Sequence, residues 1–86
     1  MTLFTKDGCT GCEDIKRNFD LTRLGIEVKV LGEDNADALA ELAWYGLVEA
    51  ARKDLPILAG DDMTPVRGWE AVRDDLIRRS YVLNAA

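Results

Sequence analysis

The placement of the cysteines is the feature that most limits what this chain can fold into. Both cysteines lie in the tetrapeptide Cys9-Thr10-Gly11-Cys12. Strand-forming residues at positions 2–5 and a turn signal at positions 6–8 precede it, and a stretch with helical periodicity follows it. Two residues three apart at a helix start lie about 5–6 Å from each other, within the Cα separation of a disulfide. The pattern therefore predicts a strand, a turn and a helix, with a closable cysteine pair where the helix begins.

The remainder of the chain alternates between helix and strand patterns. Helical periodicity covers residues 11–24, 34–53 and 69–81, and short runs of strand-forming residues cover 26–30, 55–59 and 63–66. Pro65 has no N–H to donate, which places the last strand at a sheet edge. The resulting order βαβαββα predicts one α/β domain over residues 1–86, in which helices flank a four-stranded mixed sheet.

Composition excludes several classes of protein. With 86 residues, 48% of them hydrophobic, and two cysteines, the chain suits one globular domain and not a disulfide-stapled secreted scaffold. Its net charge of −5 disfavours nucleic acid and anionic membranes as partners. No stretch has the pattern of a signal peptide or a membrane span, so we expect a cytoplasmic protein. The absence of histidine excludes Ser-His and Cys-His mechanisms.

The predicted helix start gives the two cysteines different chemical roles. Cys9 would cap the helix among free N–H groups at the positive end of its dipole, which stabilises a thiolate. Lys6 adds a positive charge nearby, so Cys9 is the predicted nucleophile. Cys12, one turn inside the helix, is predicted to be more buried and to resolve a mixed disulfide formed by Cys9. Thr10 and Gly11 would then tune the redox potential.

Other interpretations of the cysteine pair stay open at this stage. The two residues could be small apolar core residues, or zinc ligands, although a closed zinc site needs four Cys or His ligands. They could also belong to an iron–sulfur module that shares a cluster between two chains, with outside thiols completing the ligand set. A third class is a regulatory or interaction domain in which the disulfide changes shape without transferring electrons.

These residues resemble a known family, the glutaredoxins and glutaredoxin-like redoxins of the thioredoxin superfamily, over nearly the whole chain. Residues 2–12 are similar to the family's first strand, its lysine three residues before the nucleophile and its C-x-x-C motif. Residues 55–58 resemble its cis-proline strand, and residues 67–69 its glycine patch. The resemblance implies a thioredoxin-like fold and dithiol–disulfide exchange, with Cys9 attacking, Cys12 resolving and no tightly bound cofactor.

The same resemblance implies a substrate groove around the cysteines. Its predicted lining consists of Lys6, Thr10, Gly11, Leu55, Pro56, Gly68 and Trp69, and the peptide bond before Pro56 is expected to be cis. We expect protein disulfides as substrates, a monomer, and electrons supplied by glutathione as co-substrate or by a thioredoxin-reductase-type enzyme.

Three positions depart from the family pattern. Thr10-Gly11 replaces the usual aromatic or proline residue inside the motif, and Asp54 replaces the usual threonine two residues before the cis-proline. Asp54 and the Gly68-Trp69 pair remove contacts that glutathione makes in the family. Gly68-Trp69 is more similar to the small redoxins that thioredoxin reductase recycles and that supply electrons to ribonucleotide reductase, which is the alternative subtype.

Overall fold

The structure is a computed structural model that describes residues 1–85. The elements in chain order are β1 (Thr2–Lys6), α1 (Thr10–Asn18), β2 (Glu27–Leu31), α2 (Ala36–Trp44), α3 (Val48–Ala51), β3 (Ile57–Ala59), β4 (Val66–Arg67) and α4 (Trp69–Ala85). The predicted order βαβαββα is wrong at one place, because the second helical stretch forms two helices. The observed order is βαβααββα.

The four strands form one mixed sheet in the order β2-β1-β3-β4. β1 pairs in parallel with β2 and antiparallel with β3, and β3 pairs antiparallel with β4. The predicted four-stranded mixed sheet is therefore confirmed, and its last strand lies at an edge as expected. That strand covers Val66–Arg67 and not residues 63–66, so Pro65 lies just before it.

The two faces of the sheet carry separate hydrophobic clusters, as the alternation of side chains along a strand requires. Leu3 and Leu58 lie on one face and pack with Ile15 of α1 and with Val72 and Leu76 of α4. The other face carries a second cluster, made of Phe4, Ile57, Ala59, Leu42 and Leu47, which α2 and the segment after it cover. The cysteine-bearing helix and the last helix therefore share one side of the sheet.

The first helix is shorter than its apolar periodicity predicts. It ends at Asn18, and Phe19 takes an extended conformation while still packing on the Leu3 cluster. Asp20 Oδ1 accepts a hydrogen bond from the N–H of Arg23 at 3.2 Å. This side-chain acceptor stabilises a separate turn, which competes with continuation of the helix toward Leu24.

The second helical stretch breaks at Gly46. This glycine has a φ of +70°, and its N–H donates to the carbonyl of Ala43 while the N–H of Leu47 donates to that of Leu42. These two hydrogen bonds form a Schellman cap, which glycine favours because it has no Cβ. The cap returns Leu47 to the core beside Leu42, so the apolar periodicity continues across a helix end.

The last helix begins at Trp69, as predicted, but only some of its apolar residues are buried. Val72 and Leu76 are fully buried, whereas Ile77 and Tyr81 are exposed. The sheet and α1 cover only the face that carries Val72 and Leu76. Within residues 1–85, no helix combines the length and the apolar character needed to span a bilayer.

Glu41 links α2 to the first two strands. Thr2 Oγ1 donates to one carboxylate oxygen of Glu41 at 3.0 Å, and Lys29 Nζ lies 2.6 Å from the other. The hydrogen bond from Lys29 lowers the pKa of Glu41 below its ordinary 4.5. The same hydrogen bond raises the pKa of Lys29 above its ordinary 10.5.

We expect Glu41→Gln to be less stable than the unsubstituted chain near neutral pH, and the difference to vanish in acid. Because the folded pKa of Glu41 is lowered, its carboxylate stabilises the fold above 4.5, and this contribution is lost as the pH falls through the folded pKa. Lys29 stays protonated throughout this range, since its pKa is raised above 10.5, so the titration of Glu41 alone changes the ion pair. Thermal unfolding between about pH 7 and about pH 3 measures the effect, with the exposed Glu49→Gln as control. A difference that persists unchanged to the acid limit would contradict this role.

Candidate functional site

The first strand, a tight turn and the first helix place the cysteines at one end of the sheet. β1 ends at Lys6, and the N–H of Cys9 donates back to the Lys6 carbonyl at 3.4 Å. Cys9 is the N-cap of α1, and its carbonyl accepts from the N–H of Glu13 at 3.1 Å. The predicted strand, turn and helix start are therefore present.

The two cysteines form a disulfide, with their Cα atoms 5.2 Å apart. They differ in exposure, because Cys9 is half-buried whereas Cys12 is 0% exposed. The N–H of Cys12 donates to Cys9 Sγ at 3.2 Å, which is the hydrogen bond of a capping side chain. A nucleophile that attacks this disulfide from solvent can therefore reach the sulfur of Cys9 but not that of Cys12.

The segment before β3 contains the expected cis peptide bond, between Leu55 and Pro56. Pro56 is buried, and its carbonyl accepts from the N–H of Gly68 at 3.0 Å. Gly68 has a φ of +93°, a conformation that residues with a Cβ rarely adopt. The glycine therefore forms a turn that ties the proline segment to the start of α4.

Trp69 packs directly on the cysteine motif. A Cβ placed on Gly11 would lie 3.1 Å from the Cβ of Trp69 and 3.2 Å from its Cδ1. The guanidinium of Arg73 lies 4.7 Å from the centre of the Trp69 ring, a cation–π contact. Trp69, predicted to line the groove, contacts the cysteine motif itself.

Gly11→Ala is expected to lower the stability of the chain, although alanine is the better helix former. Alanine would add about 1 kcal/mol in a helix, but overpacking against Trp69 costs about 1–3 kcal/mol, so we expect a net loss of up to about 2 kcal/mol. Urea denaturation measures it, with Gly32→Ala as control because no atom lies within 4 Å of a Cβ at Gly32. Equal effects of the two substitutions would show that Trp69 does not restrict this position.

A pocket of about 180 Å³ opens beside Cys9 and has a cationic rim. Its lining comprises Lys6, Cys9, Ala51, Arg52, Lys53 and Leu55. Lys6 and Leu55 were predicted at this site, whereas Arg52 and Lys53 were not among the predicted site residues. Three basic side chains around one cysteine make the pocket locally positive in a chain whose net charge is −5.

A larger, mainly apolar groove of about 420 Å³ adjoins this pocket. The two share Lys6, Ala51, Arg52 and Leu55. Leu39 and Val48 line the groove and are partly exposed there. The surface beside Cys9 therefore offers positive charge next to apolar area.

The predicted site residues thus occupy the following places. Lys6 and Leu55 line the pocket with Cys9, Gly11 contacts Trp69, and Pro56 is hydrogen-bonded to Gly68. Thr10 is the first residue of α1 and is exposed. Among residues 1–85, no group of three or more His, Cys, Asp or Glu side chains is arranged to hold a metal ion.

Comparison with known proteins adds no relative, because no family model, no curated protein and no solved structure matches this chain. What the site can do is therefore argued from its geometry.

Proposed function

We propose that this chain is a thiol–disulfide oxidoreductase of the glutaredoxin-like type with a thioredoxin-like fold. The observation that carries the proposal is the disulfide at the start of α1, which joins a reachable Cys9 to a fully buried Cys12. A purely structural disulfide has no need of this asymmetry, whereas dithiol exchange requires one sulfur that meets substrate and one that follows it.

The reaction proceeds in two exchange steps. In the reduced chain, the Cys9 thiolate attacks one sulfur of a substrate disulfide, forms a mixed disulfide and releases the first substrate thiolate, which takes a proton from solvent. Cys12 then attacks the Cys9 sulfur, which forms the Cys9–Cys12 bond and releases the second substrate thiolate. The substrate gains two electrons, and the cysteine pair loses them.

Local structure favours Cys9 for the first step. The backbone N–H of Cys12, which donates to Cys9 Sγ in the disulfide, is placed to donate to the thiolate of the reduced chain. The dipole of α1 and the charge of Lys6 act in the same direction. Leu55 borders the same pocket, and a substrate sulfur approaching Cys9 passes beside it.

The cationic rim favours an anionic thiol as electron source. Glutathione carries two carboxylates, and Lys6, Arg52 and Lys53 surround the pocket in which its sulfur would meet Cys9. The adjoining apolar groove suits a side chain that flanks a disulfide in a protein substrate. In the alternative subtype, a thioredoxin-reductase-type enzyme reduces the same two cysteines, and they pass the electrons to ribonucleotide reductase.

Turnover with a protein disulfide tests the function. We expect the chain to catalyse the reduction of insulin by dithiothreitol, and Cys9→Ser to lower the rate by about 10³-fold or more, because the attacking atom is lost. Cys9→Ser that reduces insulin as fast as the unsubstituted chain would contradict the proposal.

The positive charges of the rim are expected to lower the KM for glutathione as electron donor. Arg52→Ala should raise the KM for glutathione by about fivefold to tenfold, while turnover with uncharged dithiothreitol stays unchanged, because only glutathione offers carboxylates to the guanidinium. Arg23→Ala, which removes the same charge from an exposed turn away from the pocket, is the matched control. Equal KM changes from both substitutions would show that overall charge, and not the rim, sets the preference.

A further inference from the structure

The hydroxyl of Thr5 is an exception to the pairing of buried polar groups. Thr5 is 0% exposed, and among the side chains that the structure describes its Oγ1 is the only buried oxygen or nitrogen without a hydrogen-bond partner. Leaving a buried hydroxyl unpaired is unfavourable, and valine would fill the same volume without that cost. We therefore ask whether the Thr5 hydroxyl gains a hydrogen-bond partner in another state of the chain, such as the reduced state.

Thr5 lies on the face of the sheet that α1 covers. Side chains alternate along β1, so Thr5 lies on the same face as Leu3. Leu3 packs in one cluster with Ile15 of α1, and α1 runs back along β1 after the tight turn. Cys12 lies one turn before Ile15 on the buried stripe of the helix, and Thr5 lies two residues after Leu3. The step from Ile15 to Cys12 along α1 and the step from Leu3 to Thr5 along β1 both approach the end of the sheet where the cysteines lie.

Strand register gives Thr5 a second neighbour at the site. Phe4 pairs with Ile57 across β1 and β3, so continuing the antiparallel register by one residue sets Thr5 opposite Pro56. Proline has no N–H, and the Pro56 carbonyl is already bonded to Gly68. The Pro56 carbonyl accepts from Gly68 and not from the Thr5 hydroxyl. The fully buried sulfur of Cys12, on the helix that covers this face of the sheet, is the other acceptor to consider.

We propose that Thr5 is a positioning residue whose hydroxyl donates a hydrogen bond to the Cys12 sulfur once the Cys9–Cys12 disulfide opens. This inference rests on the proposed function, in which Cys12 must become a thiolate inside the core to attack the mixed disulfide. A buried thiolate without a donor is unfavourable, and the Thr5 hydroxyl is a donor that needs no water. In the oxidised chain the Thr5 hydroxyl has no partner, and opening the disulfide gives Cys12 a charged sulfur that can accept from it.

Charged groups on the surrounding elements act on Cys12 as well. Lys6 ends β1, Glu13 and Asp14 follow Cys12 on α1, and Arg73 of α4 lies over Trp69. All four are exposed or half-exposed. They are identical in the variants compared below, so their influence cancels from the comparison.

The test uses Cys9→Ser chains, in which Cys12 is the only cysteine. The ultraviolet absorbance of the thiolate is titrated against pH with threonine, valine or serine at position 5. We expect Thr5→Val to move the Cys12 titration to higher pH and Thr5→Ser to restore it, because serine keeps the hydroxyl. In the chain with both cysteines, Thr5→Val should slow release of the second substrate thiolate at neutral pH about tenfold and leave the first attack by Cys9 unchanged.

The outcomes separate the two claims. Coincident titrations for threonine and valine, or a shift to lower pH with valine, would overturn the role of Thr5. Failure of Thr5→Ser to restore the titration would assign the effect to packing and would overturn it as well. Absence of insulin reduction by the unsubstituted chain would instead contradict the proposed function, and the Cys12 titration would still decide whether the Thr5 contact forms.

Discussion

A Cys12→Ser chain incubated with a disulfide peptide of known mass is expected to accumulate as a covalent mixed disulfide on Cys9. The attack by Cys9 is intact in this variant, but the thiol that would resolve the product is gone. Intact mass measured without reductant should show one peptide per chain at near-complete occupancy. The unsubstituted chain should show almost none, because Cys12 releases the peptide.

Cys9→Ser is the matched control for this trap. Each variant retains one cysteine, so chemical reactivity alone predicts equal adduct formation. The Cys12→Ser chain retains the half-buried Cys9, whereas the Cys9→Ser chain retains the fully buried Cys12. Because only Cys9 can be reached by the peptide, we expect an adduct on the Cys12→Ser chain only. Equal adduct formation by the two variants would show that the chain does not distinguish an attacking from a resolving sulfur.

Phe4→Ala is expected to have the largest effect on stability. Phe4 is 0% exposed in the centre of the sheet, packs with Ile57 and Leu42, and meets the ring of Tyr45 edge-on at 6.3 Å between ring centres. Removing a buried phenylalanine side chain costs about 3–5 kcal/mol, through lost burial and the cavity that is left. A small domain is stabilised by only about 5–15 kcal/mol in total, so the variant should be close to unfolding at room temperature.

Trp44→Ala is the control substitution, in α2, the helix that covers the Phe4 cluster. Trp44 is 82% exposed, so its removal should change the free energy of unfolding by no more than about 0.5 kcal/mol. Guanidinium denaturation of both variants, followed by far-ultraviolet circular dichroism, measures the difference. Similar losses from Phe4→Ala and Trp44→Ala would mean that the cluster on this face of the sheet does not hold the fold together.

Much of the fold follows from patterns that act over a few residues. The alternating side chains of β1, the cysteine turn and the helix start at Trp69 are all local, and the structure contains them. The end of α2 at Gly46 was missed because Leu42 and Leu47 keep an apolar periodicity across the Schellman cap. The exposure of Ile77 could not be predicted, because helical periodicity shows which side of α4 is apolar and not how far the sheet extends beneath it.

At the site too, features set by neighbouring residues could be predicted from the sequence, whereas features set by the packing of separate elements could not. The different burial of Cys9 and Cys12 follows from their spacing at a helix start, and the structure agrees. The approach of Trp69 to Gly11 and the cationic rim with Arg52 depend on how separate elements pack around the cysteines. A glycine inside the motif is the one sequence signal for the first of these, since only glycine leaves room for a side chain to pack on the helix start. The basic pair at positions 52–53, near the proline segment, is the signal for the second.

The redox equilibrium of the Cys9–Cys12 pair tests the central claim most directly. The chain is equilibrated with dithiol and glutathione buffers of graded ratio, quenched with an alkylating reagent and read by intact mass. A redox-active pair should interconvert reversibly, with a potential between about −270 and about −120 mV, the range spanned by exchange-active dithiols. A pair that stays oxidised until the potential falls below about −300 mV would be a structural disulfide, and that result would contradict the proposed function.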